Sequence, residues 1–107
     1  MAFRFEDLKV WHKAVDLSNE IDILSRQFPK TELFSLSSQI KKAADSVVLN
    51  IALRSAIEVV ACLFLAKKRD YINEQLFKKL YDEYELLCKM ITKLRDSMTQ
   101  KSMSHEQ

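Results

Sequence analysis

His12 and His105 are the only histidines in the 107 residues, Cys62 and Cys88 the only cysteines, and glycine does not occur at all. A metal site needs several ligands at matched spacing. Three and four residues beyond His12 stand Val15 and Asp16, and one imidazole beside one carboxylate is a poor site. The Glu-x-x-His pairs of di-iron helical bundles are missing. Ser37, Ser38 and Ser46 have no base beside them and read as helix-surface hydroxyls. A chain without glycine cannot build the Gly-rich loops that cradle phosphates in dinucleotide and nucleotide sites. Cys62 lies in Val60-Ala61-Cys62-Leu63 and Cys88 follows Leu86-Leu87, so both read as small core hydrophobes. The expectation is therefore a protein without catalytic centre, metal or cofactor.

The chemistry that remains is charge and stacking. Net charge is +2, with 17 Lys and Arg against 15 Asp and Glu, short of a strongly basic nucleic-acid domain. Any polyanion binding must then come from local clusters, and three pairs or triplets qualify: Lys41-Lys42, Lys67-Lys68-Arg69 and Lys78-Lys79. If helices three and four are consecutive and reverse direction, the last two clusters meet at one pole and form a phosphate-contacting patch. The alternative is a solvated surface whose cations suit helix C-termini. Tyr71 is the aromatic best placed beside these charges to stack a base, since Tyr81 and Tyr84 fall on an apolar stripe.

Those residues must be positioned by helices. With 48% hydrophobic residues the chain can form a core, and without Gly-containing turns hairpins are disfavoured, so the fold class is all-α in one domain. Helix one is expected over about 7–27, with Leu8, Trp11, Val15, Leu24 and Phe28 on one face, widened by Val10, Ala14, Leu17 and Ile21. Pro29 ends it. Thr31 reads as the N-cap of helix two, whose stripe is Leu33, Leu36, Ile40, Ala43, Val47 and Ile51. Beyond Ile51 the stripe jumps by two residues, about 200° around a helix, to Leu53, Ala56, Ile57, Val60, Leu63 and Phe64. A new helix, or a new face of a continuing one, starts near Ala52-Leu53. Asn73 is expected to cap helix four, whose stripe runs from Phe77 through Leu80, Tyr84, Leu87 and Ile91 to Met98, with Glu74–Lys78 and Glu85–Lys89 pairs outside. Residues 1–99 then make the bundle and 100–107 a polar frayed tail. Trp11 reads as core or subunit interface. Phe34, Val48 and Leu65 lie off their stripes, and with Phe3 and Phe5 they are candidates for an oligomer interface. The N-terminus carries no signal-peptide run, and the apolar run Val59 to Ala66 is too short to span a membrane, which points to a cytoplasmic protein.

Phe5-Glu6-Asp7-Leu8-Lys9-Val10-Trp11-His12-Lys13-Ala14 resembles a bacterial family of small proteins encoded in intervening sequences of 23S ribosomal RNA genes. Phe28-Pro29-Lys30-Thr31-Glu32, Ser38 to Val47 and Asn50-Ile51-Ala52 carry the likeness further. The family usually has Gly at Ser35, Gln at His12, Gly near Asp70, and some fifteen further residues after Ala52. Two readings of that gap stand: an omitted loop, or a truly shortened chain in which helices two and three fuse. A fused rod over 31–69 would reach about 58 Å at roughly 1.5 Å per residue and would favour a swapped dimer. The resemblance implies an antiparallel up-down four-helix bundle with a shortened or missing connection between helices two and three. It also implies a cyclic homo-oligomer such as a pentamer, and a similarity to the accessory protein of diversity-generating retroelements. RNA or DNA and a reverse transcriptase-like protein are the partners so implied. No catalytic residue is implied. The leading expectation is a nucleic-acid-binding module and the second a homo-oligomeric protein-interaction scaffold.

Overall fold

The computed structural model describes residues 8–105, with side chains described as far as Met98. All regular structure in them is helical: α1 (Lys9–Arg26), a short 3₁₀ turn (Lys30–Glu32), α2 (Leu36–Asn50), α3 (Leu53–Lys68) and α4 (Glu74–His105). Each helix packs on the next and α4 also touches α1, so one core serves all four. It is built from Val10, Ala14, Leu17, Ile21 and Leu24 of α1, Leu36, Ile40, Ala43, Ala44 and Val47 of α2, Ala56, Val59, Cys62, Leu63 and Ala66 of α3, and Phe77, Leu80, Tyr84, Leu87 and Ile91 of α4.

The expected stripes were rotated in two helices. In α1 the widening residues Val10, Ala14, Leu17 and Ile21 are the core, while Leu8, Trp11 and Val15 are half-buried at its edge. In α3 the buried line is Ala56, Val59, Leu63 and Ala66, and Ile57 and Phe64 face outward at 57% and 51% exposure. Both helices carry two adjacent apolar rows, so period alone does not say which row meets the partner helices.

Helix two begins later than Thr31 suggested. Lys30–Glu32 form the 3₁₀ turn, the Glu32 N–H donates to Pro29 O at 2.9 Å, and α2 starts only at Leu36. Leu33, expected in the core, is exposed for the same reason. By contrast Asn73 caps α4 as expected, its Oδ1 accepting from the Leu76 N–H at 2.7 Å. Residues 100–105, part of the stretch expected as a frayed tail, continue the α4 backbone helix.

The rod is not formed. Ile51 adopts φ 47° and ψ 49°, its N–H donates to Val47 O at 2.8 Å, and Ala52 is extended before α3 begins. This is the left-handed helix terminus that glycine usually supplies. A second such residue, Asp70 at φ 61°, ends α3: the Asp70 N–H reaches Lys67 O and the Tyr71 N–H reaches Ala66 O, the two bonds of a Schellman cap. A left-handed residue with a side chain carries about 1–2 kcal/mol of strain, and Ile51, being β-branched, is the less tolerant of the two. Asp70 thus takes the left-handed position near which the resemblance led to glycine being expected.

Candidate interaction surfaces

The end of the molecule where the chain passes from α1 to α2 and from α3 to α4 is organised by one carboxylate. Glu32 is 9% exposed and accepts from Ser35 Oγ at 2.6 Å, Tyr71 OH at 2.8 Å and Arg69 Nη1 at 2.7 Å. The Ser35 hydroxyl, then Tyr71 and then the Arg69 guanidinium hold its carboxyl down at about 2. The same contact pushes the Tyr71 phenol up. The Tyr71 ring lies 5.4 Å from that of Phe28, itself buried just past the end of α1.

This arrangement has a testable acid dependence. The unfolded glutamate titrates near 4.5 and the folded one near 2. Its contribution is therefore complete above about pH 4.5 and fades as pH falls towards 2. We expect Glu32→Gln to be less stable than the native chain at neutral pH. The gap in urea midpoint should close as pH is lowered through that window, whereas a constant gap would mean the carboxylate charge plays no part.

The same geometry decides what the basic clusters do. Arg69 is spent on Glu32, Lys41 on Asp22 at 3.2 Å, Lys67 on Glu74 at 2.8 Å, Lys78 on Asp82 at 3.3 Å and Lys79 on Glu20 at 3.1 Å. Lys67 also sits 4.5 Å over the Phe77 ring. The expected Glu74–Lys78 pair gives way to these contacts, while Glu85–Lys89 forms. Of the seven cations singled out, Lys42 and Lys68 make no ion pair among the described residues. Tyr71, expected as an exposed stacking platform, is half-buried and holds Glu32.

Apolar surface is more plentiful. Phe34 is 93% exposed and Leu49 79%. Leu65 is exposed too, Val48 is half-buried, and Phe3 and Phe5 lie outside the described residues. Along α3 and α4 the Phe64 ring meets those of Phe77 and Tyr81 edge-on, at 4.8 and 6.0 Å between centroids. Ile57, Val60, Tyr81, Glu85 and Cys88 line a shallow groove beside them. Both cysteines are free thiols. Burial pushes Cys62 up to about 11 and raises Cys88 as well, so neither is poised as a nucleophile. Among the described residues no group of three or more potential ligands gathers for a metal ion, and no helix is long and apolar enough to cross a membrane.

Sequence reasoning missed Glu32 as the organiser of this end and Ile57 and Phe64 as surface residues. Glu32 is tied to residues 37 and 39 positions away, and no local pattern announces that.

These features define a small all-α protein of four helices whose surface carries large apolar side chains and mostly self-neutralised charge. Residues 6–53 match the model of the family described as 23S rRNA-intervening sequence protein, the family that the motifs resemble. The match takes in α1, the 3₁₀ turn and α2, and it stops where α3 begins. No curated protein matches the chain.

Proposed function

We propose that the chain is a non-enzymatic interaction module: an up-down antiparallel four-helix bundle that works as a homo-oligomer in the cytoplasm. The up-down path is supported by ion pairs that run in opposite order along α1 and α4, Lys13 with Glu83 and Glu20 with Lys79. Two free thiols suit a reducing compartment. The observation that carries the reading is the size of the exposed apolar side chains, Phe34 foremost, beside cations already neutralised within the chain. Large exposed apolar patches mark interaction sites. Light scattering at rising concentration tests it. The expected result is a mass above that of one 12.5 kDa chain, and a single chain at every concentration would overturn the reading.

A second reading, contact with RNA or DNA, is favoured by Lys42 and Lys68, which are exposed and leave their charge unspent. Repeated on each subunit of an oligomer, they would make a discontinuous basic track. Filter binding of RNA at two salt concentrations separates the two: salt-dependent retention lost in the Lys42→Ala, Lys68→Ala chain supports the second reading. No retention at low salt excludes it.

A further inference from the structure

Helix α4 outruns its partners. Its core line, Leu80, Tyr84, Leu87 and Ile91, is buried at every step. At the same spacing of three and four the line goes on to Leu94, which is half-buried, and Met98, which is 62% exposed. The ion pairs of Lys13 with Glu83 and of Glu20 with Lys79 set α1 antiparallel beside α4. Leu8, the residue that leads into α1, stands five positions before Lys13 and so comes level with about residue 88 of α4. From there α4 runs on to His105. An apolar line that continues past its partner helix is a face left for something else to cover.

The sequence supplies an occupant at that end. Met1-Ala2-Phe3-Arg4-Phe5-Glu6-Asp7 precedes Leu8, and Leu8 itself is extended, at φ −81° and ψ 121°. An extended chain advances about 3.3 Å per residue against about 1.5 Å in a helix, so each extended residue passes about two residues of α4. Counted back from Leu8 in this way, Phe5 comes level with Leu94 and Phe3 with Met98. Glu6 comes level with Lys93 and Arg4 with Asp96, opposite charges in both cases. Neither Lys93 nor Asp96 forms an ion pair among the described residues, so both are free to meet them. Apolar residues at alternate positions, as at Phe3 and Phe5, let an extended segment lay one side on such a face. We infer that residues 3–7 run back along the projecting part of α4 as a strap, with the Phe5 and Phe3 rings on Leu94 and Met98. The occupant belongs to the same chain, so this holds whether or not the protein self-assembles.

Methyl NMR on the full chain tests it, with the four methionines isotope-labelled at their methyl carbons and Met98 assigned through Met98→Leu. The expected result is a Met98 methyl signal displaced upfield by an aromatic ring, with a nuclear Overhauser contact to ring protons, and both lost in Phe3→Leu. Urea unfolding gives a second measure. Phe3→Ala and Met98→Ala are each expected to lower the midpoint, and together by less than the sum, because both remove the same contact. Additive losses, or a Met98 methyl at its free-peptide position and unmoved by Phe3→Leu, overturn the strap. A ring contact seen only between labelled and unlabelled copies in a mixed sample overturns it too, in favour of a second copy as the occupant of this face.

Discussion

Replacing Ile40 by alanine is expected to lower the unfolding free energy by about 3 kcal/mol, inside the roughly 2–5 kcal/mol range of such truncations. Ile40 is 0% exposed in the middle of α2, and its neighbours on the core line, Leu36, Ala43, Ala44 and Val47, are buried too. The loss has two parts, apolar area returned to water and a cavity that rigid helices fill poorly. A domain of about 100 residues has roughly 5–15 kcal/mol in all, so this one truncation removes a large share. Leu49→Ala, on the same helix but 79% exposed, is expected to shift stability by less than about 0.5 kcal/mol in the single chain. Urea titrations of both variants by circular dichroism check this, with the Ile40→Ala midpoint falling at unchanged slope. Similar small shifts for the two would mean that α2 is loosely held.

The contrast between Ile40 and Leu49 also marks how far the sequence alone reaches. Ile40 could be placed in the core because α2 has one apolar row and polar residues around it. The helix count, the cap at Asn73 and the break near Ala52-Leu53 were equally legible, because each is a local rule expressed within a few residues. The reversal itself was not, since the left-handed position is held by Ile51 and Asp70, with no glycine to announce it. In α1 and α3 the apolar residues form two rows each, and which row is buried depends on helices far away in sequence. The basic clusters misled for a related reason. Lys67, Arg69 and Lys79 stand together in sequence or on one end, but the carboxylates that neutralise them come from Glu74, Glu32 and Glu20, and only the fold brings these near. What binding surface is left over after that neutralisation is a property of tertiary structure.

Tyr84 brings packing and titration together in one side chain. It is 1% exposed and the largest fully buried side chain in the core. Tyr84→Ala is expected to cost about 4 kcal/mol by the same cavity argument. Tyr84→Phe keeps the ring and so leaves no cavity of that size, and it should stay within about 1 kcal/mol of the native chain at neutral pH. The two part in alkali. Burial, with Glu20 and Asp45 nearby adding negative charge, pushes the phenol well above its ordinary value near 10. Above that pH the unfolded chain gives up the proton that the folded chain keeps. Folding is therefore penalised as pH rises, by at most about 1.4 kcal/mol per pH unit for this group. Other groups whose folded values are raised, Cys62 among them, titrate in both chains and cancel in the difference. Stability measured by urea unfolding between pH 8 and pH 11 should then fall more steeply for the native chain than for Tyr84→Phe, the two curves separating only above about pH 10. Parallel curves would mean that the folded phenol ionises as readily as the unfolded one, and that Tyr84 reaches water despite its place between the helices.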